Sequence, residues 1–195
     1  MTILVLTTGG TIGALAYDDP RVPPKVSVMP EQGKDYVRDA LADPRFNFAD
    51  LRCVSLEQRD SKLIDTKYLE NILNNLVKAP EKEILLTCGT DRILDVADYF
   101  HGQAKILHDK ILMLTGAMIP LANGSASDGY SNLEFSIKQL SDFAKNRVSG
   151  GVYVVLCDYN DAGTWQPRLY PYEPGKYEKT YDAKDGSRNR IRERQ

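Results

Sequence analysis

Five short runs of Ile, Leu and Val, at Thr2–Leu6, Leu51–Leu56, Glu83–Thr87, Ile111–Thr115 and Val152–Leu156, limit what this chain can become. Each has the length of a strand and is bounded by Gly, Pro or charge, which predicts strands covered on both faces. The stretches between them carry the helical period. In Thr66–Lys78 the residues Leu69, Ile72, Leu73, Leu76 and Val77 fall at i, i+3, i+4, i+7 and i+8, with Asp65 as the predicted N-cap and Pro80 just beyond the end. Ile93, Val96, Ala97, Phe100 and Ala104 repeat the spacing, as do Leu133, Ile137, Leu140 and Ala144. Buried strands alternating with amphipathic helices predict one doubly wound α/β domain over residues 1–160, its mostly parallel sheet covered by helices on both faces. The order of the strands does not follow from the pattern. Residues 161–195, crowded with Tyr, Pro, Gly and charge, lack either hydrophobic period and are expected to form an irregular arm that ends in a frayed basic tail.

The 195 residues are 42% hydrophobic, enough for one sizeable core, and the formal net charge of −2 gives no electrostatic reason to expect nucleic acid or an anionic membrane. Arg188, Arg190, Arg192 and Arg194 read as a solvated tail. The start MTILVLTTGG has no basic leader and too short an apolar run for a signal or a membrane span, so a cytoplasmic location is expected. Cys53, Cys88 and Cys157 form no CxxC pair and are expected to be reduced and mostly buried. His101 and His108 are the only histidines, too few and wrongly spaced for a typical zinc site or a Ser-His-Asp triad. No metal or cofactor is implied, and any hydrolytic chemistry must find a base other than histidine.

The first strand runs into LTTGGTIG, Leu6 to Gly13, with more glycines than a turn requires. A plain strand-to-helix turn would explain one or two of them. The strand Glu83–Thr87 runs in turn into LLTCGTD, and Ile111–Thr115 into MLTGAM. Loops at the carboxyl ends of parallel strands gather on one edge of an open sheet, where a crevice opens at the switch point. Thr11, Thr90 and Asp91 are expected to meet there, with Gly9, Gly10, Gly89 and Gly116 letting a ligand approach the backbone. A phosphate site is disfavoured, because GGTIGALA matches neither G-x-G-x-x-G nor G-x-x-x-x-G-K-[ST]. A threonine hydroxyl attacks a carbonyl only with a proton acceptor beside it and a preorganised oxyanion hole. Without a suitable histidine the acceptor must be Tyr, Lys or a relay through a second hydroxyl, and Tyr17 in ALAYDDP is one candidate.

TTGGTIG, RDSKLID, CGTD and LTGAMIPLANGSASDGYSNLEFSI, in order and at compatible spacing over Met1 to about Leu156, together resemble the amino-terminal domain of the bacterial-type L-asparaginases, amidohydrolases with a threonine nucleophile. The resemblance implies Thr11 as the nucleophile, Tyr17 as the loop tyrosine that contacts its hydroxyl, and Thr90 as the second catalytic threonine. It implies that Asp91 holds the substrate α-ammonium, that Ser61, beside Asp60, binds the α-carboxylate, and that the Ala117 carbonyl contacts the substrate amide.

Several positions depart from the family's pattern. Cys88 stands where the family usually has His, Arg92 where it often has Thr, and Lys62 where many members carry a small or amide side chain. The position matching the family's catalytic lysine, counted without gaps from GGVYVVLCD, is Arg168, which cannot give up its proton. With an insertion, Lys176 or Lys179 is nearest, and Lys176 is favoured. The resemblance is to short family members, without the smaller second domain. The expected activity is hydrolysis of the side-chain amide of L-asparagine to L-aspartate and ammonia, with L-glutamine as an alternative substrate and a non-catalytic amino-acid-binding module as the competing reading. The expected partner is a small amino-acid amide, in a homo-oligomer whose arm, Trp165 to Tyr181, lies near a subunit contact.

Overall fold

The computed structural model describes residues 1–16, 18, 28–31, 33–159, 163–181 and 189–194, and of 159, 179–181 and 189–190 the backbone alone. The five apolar runs form β1 (Thr2–Gly9), β2 (Asp50–Arg59), β3 (Glu83–Thr87), β4 (Ile111–Thr115) and β5 (Gly151–Tyr159). Between them lie α1 (Tyr36–Leu41), α2 (Thr66–Lys78), α3 (Ile93–Gly102) and α4 (Gly129–Lys145). Asp65 caps α2 as its position requires, accepting the Tyr68 N–H at 2.8 Å, a contact worth about 1 kcal/mol.

The sheet runs β2-β1-β3-β4-β5-β6, with β1 to β5 parallel and β6 (Trp165–Pro171) antiparallel. The connections therefore reverse direction between β1 and β3. Alternate side chains of each strand divide the core into two layers: Leu4, Leu6, Ile84, Leu86, Leu112 and Leu114 pack under α2 and α3, while Ile3, Val5, Leu85 and Met113 pack under α1 and α4. The connection β4–α4–β5 steps along the sheet in the same direction as β3–α3–β4 but crosses the opposite face. Its hand is thus opposite to that of the other three crossovers, against the right-handed rule. The consequence is local: α4 starts beneath the loop after β1, where a Cβ on Gly129 would meet Ile12 Cγ1 at 3.2 Å.

The arm differs from the irregular segment expected from its composition. β6 extends the main sheet, and β7 (Tyr177–Tyr181) pairs with β8 (Asn189–Glu193) in an antiparallel hairpin whose Tyr177 and Ile191 join the core layer of α3. Pro167 and Pro171 hide β6 from a sequence reading, since proline cannot serve an inner strand. Here both sit on the free edge. Tyr172 N–H donates to the Val152 carbonyl at 2.9 Å, so the even-numbered residues of β6 face β5 and the odd-numbered prolines occupy positions whose N–H would point outward.

Candidate active site

One register row crosses four strands, at the last residue of β3 and β4 and a few residues before the end of β1 and β2: Ser55 of β2, Thr7 of β1, Thr87 of β3 and Thr115 of β4. The three threonines are fully buried. Beyond this row the chain turns into loops, and glycine lets those loops touch. Gly10, at φ 76°, lies so close to the next loop that a Cβ would come within 2.2 Å of the Gly89 amide nitrogen. A Cβ on Gly89 would in turn meet Ser61 Oγ at 2.5 Å, and one on Gly116 would meet Thr90 Cγ2 at 2.9 Å. The loops after β1 and β3 thus meet backbone to backbone, while Ser61 and Thr90 pack directly onto the neighbouring glycines. This crowding lies across β1 and β3, where the connections reverse.

Thr11 opens the 3-10 turn Thr11–Gly13, directly after Gly10, and is half-buried. Thr90 is buried at the start of the turn Thr90–Arg92 that leads into α3, while Asp91 beside it is exposed. Asp60 caps the turn Ser61–Leu63, accepting the Lys62 N–H at 2.9 Å, and Ser61 is buried against Gly89. Ala117 is buried in the loop after β4. Tyr17 lies outside the described residues, as does the side chain of Lys179.

The arm reaches the Asp91 side of this edge but does not bring Lys176 with it. A groove of about 480 Å³ between α3 and the arm is lined by Asp91, Asp95, Asp98, Tyr172, Tyr177 and Arg194, among others. Tyr172 Oη donates to Asp98 Oδ1 at 3.0 Å, and Tyr170 Oη donates to the buried Asp158 at 3.0 Å. Lys176 turns instead to Glu173, 2.9 Å from its ammonium, with Glu193 at 3.9 Å. The hydrogen bond that Lys176 donates to the Glu173 carboxylate holds its pKa above the ordinary lysine value, the wrong direction for a base. Arg168 lies on β6 opposite Leu156, exposed, with its guanidinium 5.9 Å from the Tyr170 ring centroid.

Four further residues shape the edge and drew no role from the sequence. Asp35, almost fully buried, caps α1 through the amides of Val37 and Arg38 at 2.9 and 3.1 Å and accepts the hydroxyls of Thr7 and Ser55. Gln58 reaches Thr7 from β2. Asp128 accepts the amides of Met118 and Ile119 at 2.9 and 3.0 Å, and Asn132 donates to the Gly116 carbonyl at 2.9 Å, so the two clamp the loop that carries Ala117. Burial pushes the Asp128 carboxyl above its ordinary pKa despite these donors. The only hint in the sequence was that Asp128 and Asn132 stand four apart at a helix start. Burial likewise pushes the thiols of Cys53 and Cys157 up to about 12, which keeps both protonated at neutral pH. Among the described residues no group of three His, Cys, Asp or Glu could hold a metal ion, and no helix is long and apolar enough to cross a membrane.

The family described as Asparaginase, N-terminal, matches residues 2–166. No curated protein matches the chain. Among solved structures, L-asparaginase I from Vibrio cholerae superposes at TM-score 0.66 with 18% identity, over 98% of this chain and 51% of that one. The probable cytoplasmic L-asparaginase from Campylobacter jejuni superposes at 0.61 with 21% identity, over 81% and 46%. The thermostable L-asparaginase from Thermococcus kodakarensis superposes at 0.56 with 23% identity, over 79% and 43%. The chain spans about half the length of these structures.

Proposed function

Because the chain belongs to the asparaginase family through its N-terminal domain, we propose that it is an amidohydrolase releasing ammonia from L-asparagine, with Thr11 as nucleophile. The observation that carries the reading is the backbone contact of Gly10 with Gly89, which sets the turn beginning at Thr11 beside the turn beginning at Thr90. Thr11 Oγ1 attacks the side-chain amide carbon, and amide N–H groups of the glycine-rich loops hold the oxyanion. Thr90 relays the Thr11 hydroxyl proton to the amide nitrogen, the C–N bond breaks to release ammonia, and water then hydrolyses the acyl-enzyme ester to free Thr11 and L-aspartate. Asp91 takes the α-ammonium, and Ser61, positioned by the Asp60-capped turn, takes the α-carboxylate. The Ala117 carbonyl orients the amide. Tyr17 completes the proton path. Lys176 serves Thr90 only after leaving Glu173, and Lys176→Met tests that part alone: activity near parental removes it from the mechanism.

The test is ammonia release from asparagine and from glutamine by the purified chain, beside Thr11→Val and Thr11→Ser. Loss of at least about 10³-fold in Thr11→Val, with measurable turnover in Thr11→Ser, supports the reading. Equal activity in all three proteins overturns it. Arg168 in the place matching the family's lysine favours one second reading, a binding module. Calorimetric binding of asparagine with no ammonia released would select it.

A further inference from the structure

The β1–β2 pairing loses register beside the candidate nucleophile. Thr7 lies opposite Ser55 and Gly9 opposite Arg59, so the short step from Thr7 to Gly9 is matched by the longer stretch Ser55 to Arg59. Side chains alternate faces along a strand, and extra residues re-aim those that follow. Val54 and Leu56 pack toward α2, and regular alternation would send Gln58 the same way. Gln58 turns over instead. Its Nε2 donates to Thr7 Oγ1 at 3.2 Å and to the Leu56 carbonyl at 3.1 Å, and Thr7 belongs to the opposite face, with Ile3 and Val5.

The direction of these bonds is determined by what surrounds them. The single hydroxyl hydrogen of Thr7 goes to Asp35 Oδ2, so toward Gln58 the hydroxyl oxygen can only accept. The Leu56 carbonyl can also only accept. Both contacts require the amide NH₂, which leaves Oε1 facing away from them. That oxygen is buried with no partner among the described residues, and a Cβ on Gly13 would lie 3.1 Å from it. The carboxamide is therefore wedged under the turn Thr11–Gly13, whose own bonds are Gly13 N–H to the Gly10 carbonyl at 3.0 Å and Ala14 N–H to the Thr11 carbonyl at 3.1 Å.

We propose that Gln58 is a positioning residue for the nucleophile: the chain Asp35–Thr7–Gln58 runs from the capped start of α1 to the turn carrying Thr11, against which the carboxamide packs, and holds the Thr11 hydroxyl in the attacking position. Asp35 is fixed by two backbone amides, Thr7 by the sheet, and Gln58 by both of its acceptors. A misplacement of about 1 Å at a reacting atom costs up to about 10²-fold in rate. The proposal rests on Thr11 being the nucleophile.

Gln58→Leu, Thr7→Val and Thr7→Ser are compared with the parent in steady-state turnover of asparagine and in amide hydrogen exchange. Gln58→Leu is expected to lower kcat by about tenfold or more with KM within about threefold, and to speed exchange at Gly13 and Ala14 while leaving β3 and β4 unchanged. Thr7→Ser should keep parental values and Thr7→Val should repeat Gln58→Leu. The double variant Thr7→Val/Gln58→Leu should be no worse than either single, since the residues act as one chain. Parental kcat and parental exchange at the turn in Gln58→Leu overturn the proposal. So does exchange that rises equally across the sheet, which would make Gln58 merely structural. Thr11→Val run beside them separates the two readings: if it stays active, the nucleophile assignment has failed, and loss of kcat in Gln58→Leu would have to act through another group.

Discussion

The two ends of the parallel sheet treat polar groups differently. At the amino end, the buried Lys110 donates to the carbonyls of Ala79 and Glu81 at 2.8 and 2.9 Å, and the Glu81 carboxylate takes two bonds from Arg52 at 2.6 and 2.7 Å. At the carboxyl end, Gln58 Oε1, Thr87 Oγ1 and Asn132 Oδ1 are buried and without partners among the described residues. No other described buried side-chain atom is in that condition. A buried polar atom left unpaired costs about 1–3 kcal/mol. The unpaired groups stand one layer below the loops that carry Thr11, Thr90 and Ala117, so the proposed site is built where the fold is least satisfied. The amino end holds the strands together, and the carboxyl end gives up part of that stability.

The contrast breaks most severely at Gly10. Alanine there would set Cβ against the Gly89 amide at 2.2 Å and hold a non-glycine residue at φ 76°. Gly10→Ala should lose on the order of 3 kcal/mol in denaturant unfolding and all measurable ammonia release. Parental stability would mean that the loops can part without harm.

Thr90→Val keeps the shape and removes only the hydroxyl. It should depress kcat by at least about 10²-fold while leaving the unfolding midpoint within error. A matching loss of stability would place Thr90 among the residues that merely hold the edge.

Lys110→Met makes the opposite test at the amino end. It leaves two carbonyls without their donor and should cost about 1–3 kcal/mol of stability. The kcat of the folded protein should stay parental, and a fall in kcat would show that the two ends are coupled.

The smallest effect belongs to Asp128, whose pKa burial raises above the ordinary carboxyl value of 3.8. Such a group binds more protons folded than unfolded between those two values, so its contribution to stability is complete below 3.8 and is lost as pH rises through the raised value. Asp128→Asn keeps an acceptor for the Met118 amide and removes the titration. Its stability should fall less than the parent's as pH is raised from about 4 toward neutrality. Parallel pH curves for the two proteins would contradict the raised pKa.

Much of the carboxyl edge was legible because its signals are local. The Thr-Gly strand ends, the Asp65 cap and the period of α2 each lie within a few residues, and each took its expected form. The arm was not legible. Pro167 and Pro171 argue against a strand until one knows that β6 lies at the edge, with those two positions facing outward. Asp35 was equally hidden, since a carboxylate before a short helix reads as a simple cap. Only the folded chain brings Thr7 and Ser55 to it. The place of Lys176 along the arm suggests a base, and the turn that follows β6 directs it to Glu173 instead.

By itself the sequence determined the two helix layers, β1 to β5, α2 to α4 and the end of the sheet at which the turns of Thr11, Thr90 and Asp91 lie. Period and strand direction are properties of neighbouring residues, and an alternation of buried strands with amphipathic helices permits few other layer orders. Tertiary structure alone decided the order β2-β1-β3-β4-β5-β6, the opposite hand of the α4 crossover and the reversal of Gln58 at the register break. These depend on which strands pair and in what register. That choice is settled by contacts between residues far apart in the chain, where a shift by one position sends a side chain to the other face.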